Sequence, residues 1–116
     1  MKAVISCNGK YISVDPEKHP DRLCYGQSCY LRFGCCSNNP DTVVPAHANL
    51  LELGKGKGLK VNDIYTVPAC FKCHMELDQG KNMSKGERRE AWIKAYNRWG
   101  RFRLRKYGLR FDPLTV

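Results

Sequence analysis

Two cysteines three positions apart, directly followed by a histidine, stand at Cys70-Phe71-Lys72-Cys73-His74. Thiolates at that spacing, at a turn opening a helix, can chelate one tetrahedral zinc, and the helix N-terminus helps to keep them deprotonated. Two further ligands are needed, and Cys24, Cys29, Cys35 and Cys36 crowd a short upstream stretch. Cys29 and Cys36 are the favoured pair, with Cys35 or Cys24 as substitutes. A zinc saturated by four sulfurs has no open position for substrate. It would act as a structural staple contributing about 10–16 kcal/mol of apparent binding free energy to folding. The competing reading, a thioredoxin-like redox pair, lacks the βαβ setting and leaves the upstream cysteines unexplained.

Chemistry must then come from elsewhere, and the candidates are His47, His74, Asp63 and Asp78. His74 and Asp78 lie four residues apart, on one helical face. An imidazole that activates water beside a divalent ion held by histidine and carboxylate is competent to hydrolyse a phosphodiester. His47 and Asp63 are the catalytic candidates. His74 and Asp78 are the candidate ligands of the catalytic ion, which could be Mg, Mn or Zn. His19, beside Pro20, reads as a surface histidine.

The elements that must position these groups follow from local pattern. Asn8-Gly9 between the apolar stretches Ala3-Val4-Ile5 and Tyr11-Ile12-Ser13-Val14 predicts a hairpin. Thr42 to His47 reads as an edge or bulged strand because of Pro45, and Ile64-Tyr65-Thr66-Val67 as a second strand. Cys70 to about Gln79 forms a short helix ended by Gly80. Ser84-Lys85-Gly86-Glu87 is a capping box. Trp92, Ala95, Tyr96 and Trp99 recur behind it at helical spacing, so a helix from 85 to about 99 is expected, ended or bent at Gly100. Both tryptophans face the core on that pattern, which argues against base stacking. The organisation is thus a lead-in hairpin over 1–23, a zinc-bound core over 24–83, and a C-terminal helix with a basic tail over 84–116.

Charge points to the partner. The chain carries 20 Lys and Arg against 11 Asp and Glu over 116 residues. Residues 1–83 hold 10 basic and 8 acidic side chains, whereas 84–116 hold 10 and 3. A near-neutral body with a basic C-terminal third predicts a polyanionic partner, here nucleic acid. Arg101, Arg103, Arg105 and Lys106 in the tail, with Lys55 and Lys57 in the Gly54–Gly58 loop, are the candidate phosphate contacts. That loop is no P-loop, because the Gly-Lys-Ser/Thr ending is absent. No apolar run approaches the ~20 residues that span a bilayer, and the N-terminus is too weakly apolar for a signal peptide. A cytoplasmic protein is expected, with reduced thiols and no membrane partner.

A histidine on a first strand, a Cys-x-x-Cys-His opening a helix and an earlier cysteine pair resemble the HNH (ββα-metal) nuclease superfamily. More narrowly, Cys29 to Asp78 resembles the phage and prophage nuclease family typified by YbcO. The matching pieces are Cys29-Tyr30-Leu31-Arg32-Phe33, Cys36-Ser37-Asn38-Asn39-Pro40-Asp41-Thr42, Ala46-His47, Asp63-Ile64 and the run from Ala69 to Asp78. They span about fifty residues of the 116. The resemblance implies an α+β, zinc-stapled ββα-metal fold and a phage-encoded, metal-dependent DNA endonuclease. His47 would be the general base and His74 a ligand of the catalytic divalent ion, with Cys29, Cys36, Cys70 and Cys73 on a structural zinc. It also implies a host-cytoplasmic location and recombination or replication proteins as partners. The chain departs from the pattern at Ala46, where many HNH enzymes have an acid, and in lacking a clear asparagine to orient the base. Asp63 and Asp78 are the acids placed to supply the missing carboxylate. The alternative function is a non-catalytic, zinc-stapled nucleic-acid-binding module.

Overall fold

A computed structural model describes residues 3–48, 63–80 and 82–115. β1 (Ala3–Cys7) and β2 (Lys10–Val14) pair antiparallel, Ala3 opposite Val14 and Cys7 opposite Lys10. Asn8 and Gly9 turn the chain with φ of 52° and 76°. Two successive left-handed residues form the turn whose twist matches a two-residue hairpin, which is why Asn-Gly announces it. Ala3, Ile5 and Val14 bury the inner face against Leu23, Cys24, Trp99 and Tyr107.

β3 (Val44–His47) and β4 (Thr66–Ala69) form a second antiparallel pair, with Pro45 opposite Pro68 and His47 opposite Thr66. Proline cannot donate to a ladder, and a two-stranded sheet has an edge on each side that tolerates it. The Pro68 carbonyl turns outward instead, accepting the Tyr30 N–H at 2.8 Å. β4 starts two residues later than the pattern predicts because Asp63-Ile64-Tyr65 forms a turn. α1 (Phe71–Gln79) leaves β4 directly, with Cys70 as its N-cap and Cys73 and Leu77 on its buried face.

α2 (Lys85–Tyr107) opens with the expected capping box, Ser84 Oγ accepting from the Glu87 N–H at 3.1 Å while the Glu87 carboxylate accepts from the Ser84 N–H at 3.0 Å. It runs past Gly100 for two further turns, to a left-handed C-cap at Gly108. Gly100 is not a stop; it is a seat, because a Cβ there would overlap the Phe111 ring. The returning chain is clamped where Asn97 and Leu114 exchange two hydrogen bonds of 2.9 Å. The basic stretch expected as a tail is therefore the end of a helix.

α2 also joins the two apolar clusters. Trp92, Ile93, Ala95 and Tyr96 enter the one that holds Cys29, Cys70 and Cys73, while Trp99 and Tyr107 enter the one under the β1–β2 hairpin. Both tryptophans are buried, as their spacing predicts, each worth about 1.5–3 kcal/mol or more of transfer free energy. Trp92 stacks on Tyr96 with centroids 5.1 Å apart and donates its indole N–H to the Ala46 carbonyl at 3.2 Å. That bond ties α2 to the strand that ends in His47. Over the described residues the fold is α+β, with two antiparallel strand pairs and two α-helices.

Candidate functional site

The sulfurs of Cys29, Cys36, Cys70 and Cys73 all lie within 4.8 Å of one another. Cys70 and Cys73 come from the N-terminal end of α1, and Cys29 and Cys36 from the irregular segment packed over it. Four sulfurs at ~2.3 Å from a tetrahedral zinc stand about 3.8 Å apart, and Cys36 and Cys70 have their sulfurs 3.8 Å apart. The donor set fits zinc, and the sulfurs need only draw in from within 4.8 Å of one another to the tetrahedral spacing.

The electrostatics agree. Burial raises the Cys36 and Cys73 thiols, and would raise Cys70 as well. At Cys70 it is outweighed by hydrogen bonds from the Ser37 side chain and backbone and the Cys73 backbone, which bring the thiol down to about 6. A cluster that stabilises one thiolate and resists the next is one that a dication completes. The substitutes fall elsewhere. Cys24 is buried beneath the first hairpin, donating to Thr66 Oγ1 at 3.8 Å, and its thiol is pushed up to about 12 by burial. Cys35 is exposed, its thiol 3.7 Å from the Lys72 carbonyl oxygen.

The two histidines form two separate pairs. His47 Nε2 meets Asp63 Oδ1 at 2.8 Å, both side chains about one-third exposed at 34% and 36%. His74 Nε2 meets Asp78 Oδ2 at 3.3 Å across one turn of α1. β3 presents His47 at its C-terminal end, and the turn before β4 brings Asp63 to it. A carboxylate that accepts the Nε2 proton fixes the tautomer and leaves Nδ1 as the basic nitrogen. Among the described residues, the group of three or more potential metal ligands within mutual reach is the four cysteines. The sequence expectation that His47, His74 and both acids converge is met only in pairs. Ala46, ahead of His47, is fully buried.

The cationic candidates separate. Arg101, Arg105 and Lys106 are exposed on the last turns of α2, with the Lys106 ammonium lying 5.6 Å from the Phe102 ring centroid. Arg103 differs: it is 0% exposed, its guanidinium packed among aromatic rings, so it cannot reach a phosphate. The reason is helical phase. Trp92, Tyr96, Trp99, Arg103 and Tyr107 repeat every three or four residues, and that spacing already puts Arg103 on the apolar face. Lys55 and Lys57 lie outside the described residues. Sequence reasoning also missed Thr66, whose hydroxyl donates to the Asp63 carbonyl at 2.9 Å; a buried threonine on a short strand carries no local signal of such a role.

No curated protein matches the chain. Among solved structures, one titled "Structure of a putative bacteriophage protein", from Escherichia coli K-12 substrain MG1655, superposes with a TM-score of 0.58 at 26% identity. The alignment covers 75% of this chain and 98% of that one. The family described as "Putative nuclease YbcO" matches residues 21–109, a span that takes in the four clustered cysteines, both histidine–carboxylate pairs and all of α2. The chain belongs to that family.

Proposed function

We propose that the protein is a metal-dependent DNA endonuclease of the HNH type, phage-encoded, that hydrolyses phosphodiester bonds at the His47–Asp63 pair. The observation that carries this reading is the 2.8 Å contact between His47 and Asp63, with both side chains open to solvent, at the end of a strand pair that runs straight into the His74 helix. Support comes also from the family's description as a nuclease and the phage title of the structural neighbour.

In this reading Asp63 holds the Nε2–H of His47, and Nδ1 takes the proton from the attacking water. His74 and Asp78, whose ring nitrogen and carboxylate oxygen lie 3.3 Å apart, would hold a divalent ion, Mg, Mn or Zn. When bound, that ion supplies charge stabilisation at the phosphate oxygen and the leaving group. Cys29, Cys36, Cys70 and Cys73 hold a zinc that keeps α1 against the segment over 29–36 and takes no part in the reaction. The exposed Arg101, Arg105 and Lys106, with Lys55 and Lys57, bind the phosphate backbone without reading sequence.

A second reading, a non-catalytic DNA-binding module with the same zinc, is favoured by one observation. Ala46 is buried where an acidic neighbour of the base would stand. A plasmid-nicking assay of zinc-loaded protein with Mg, with Mn and without added divalent ion separates the two. The endonuclease nicks only with the ion; the module binds the plasmid and leaves it supercoiled under every condition.

A further inference from the structure

Arg103 is a cation placed where a cation is expensive. It is 0% exposed, and among the described residues no carboxylate lies within ion-pairing distance of it. Its Nε has no hydrogen-bond partner. Burial lowers its pKa, and among the described residues the groups that oppose this shift are the Tyr96 hydroxyl and the Cys24 thiol. The plane packs between Tyr96 and Trp99, 5.6 and 5.5 Å from the ring centroids. A methionine or leucine could occupy the same space without that penalty, so what the arginine does with its charge is the question.

Both terminal nitrogens donate to one acceptor. Nη1 and Nη2 each lie 3.3 Å from the Ile64 carbonyl oxygen. Ile64 lies between Asp63 and Tyr65 in the described part of the turn before β4. The neighbouring carbonyls are held as well: Asp63 O accepts from the Thr66 hydroxyl at 2.9 Å, and Tyr65 O accepts from the Ala48 N–H at 3.1 Å. Three successive carbonyls are thus fastened to three different places: β4, α2 and Ala48, the residue after β3. Asp63 reaches His47 across sixteen positions of sequence, so its aim depends on how firmly this turn is seated.

We propose that Arg103 is a positioning residue for the His47–Asp63 pair, fixing the Asp63 turn through the Ile64 carbonyl while stacked in the aromatic core of α2. This deepens the endonuclease reading and rests on it. Lysine would keep the charge but offers no planar fork to bracket one oxygen and stack between two rings.

The test uses the zinc-loaded full chain with Arg103→Met, Arg103→Lys, Asp63→Asn and the Arg103→Met/Asp63→Asn double variant. Two readouts are taken: the ring N–H resonance of His47, assigned against His47→Ala, and the kinetics of metal-dependent DNA cleavage. Arg103→Met should retain zinc and KM for DNA, lose the hydrogen-bonded ring N–H signal of His47, and lower kcat about ten- to a hundredfold. Arg103→Lys should restore part of both, and it carries the same readouts if the methionine variant does not fold. In the Asp63→Asn background, Arg103→Met should change kcat by no more than about twofold, because both act through one contact. An unchanged His47 signal in the folded methionine variant, or losses that multiply in the double variant, would overturn the proposal. If the wild-type chain cleaves no DNA, the endonuclease reading fails, and the ring signal alone still decides whether Arg103 seats Asp63.

Discussion

Removing zinc should unfold this protein rather than loosen it. Cys29, Cys70 and Cys73 are buried members of the larger apolar cluster, and the same cluster receives Trp92 and Tyr96 from α2. A structural zinc of this type contributes about 10–16 kcal/mol at neutral pH. A chain of this length is stable by roughly 6–17 kcal/mol in total, at ~0.05–0.15 kcal/mol per residue. The two quantities are of one size, so the metal-free chain has little stability left. Thiol counting gives a direct assay. Of the seven cysteines, four would be held by zinc and Cys24 is buried, so only the exposed Cys35 and the half-buried Cys7 should react quickly with a chromogenic disulfide. Adding a strong chelator should bring all seven into the fast phase, together with loss of helical circular dichroism and a red shift of tryptophan emission. Cys36→Ser should behave as the chelated protein does. If the metal-free chain keeps its helical signal and its melting temperature falls by only a few degrees, equivalent to ~1 kcal/mol, the cluster is not the staple described here.

Other consequences are smaller and independent. Zinc loading at pH 7 should release at least two protons, since thiols of the unfolded, metal-free chain have their ordinary pKa of about 8.5 and are mostly protonated, whereas the zinc-bound form needs thiolates. Affinity should therefore weaken as pH falls, which calorimetry in buffers of different ionisation enthalpy would measure. Gly100→Ala should destabilise the protein by about 1–3 kcal/mol in urea unfolding, because overpacking against Phe111 outweighs the ~1 kcal/mol gained in helix propensity. Stabilisation would show that the Phe111 contact yields freely. Replacing Arg101, Arg105 and Lys106 together by alanine should weaken binding of duplex DNA and reduce the slope of log affinity against log salt by up to about three. An unchanged slope would place the DNA elsewhere.

What could be read from the sequence was what is local. The Asn8-Gly9 hairpin, the Ser84 capping box and the start of α1 at Cys70 each depend on a few adjacent residues, and each appears where the pattern puts it. The favoured cysteine set was also legible, because ligand spacing constrains it more tightly than any strand pattern does. What was not legible depends on distant contacts. Whether Gly100 ends a helix is decided by Phe111, eleven positions on, whose ring takes the space a side chain would fill. Whether Arg103 meets phosphate or an aromatic core is decided by the phase of α2, and a reading that counted charges assigned it to the wrong face. The i, i+4 spacing of His74 and Asp78 was legible, whereas the 2.8 Å contact of His47 with Asp63 joins residues sixteen positions apart and had no local signal; the expected gathering of all four was an inference from topology, and they stand in pairs.

The central claim is that His47 is the base of a phosphodiester hydrolysis, and the most direct measurement is single-turnover cleavage of duplex DNA by zinc-loaded wild type and His47→Ala at saturating protein and divalent ion. The account predicts metal-dependent cleavage by the wild type and a fall of about 10²–10⁴-fold in the variant, with zinc content and DNA affinity retained. Cleavage by His47→Ala at the wild-type rate would contradict it.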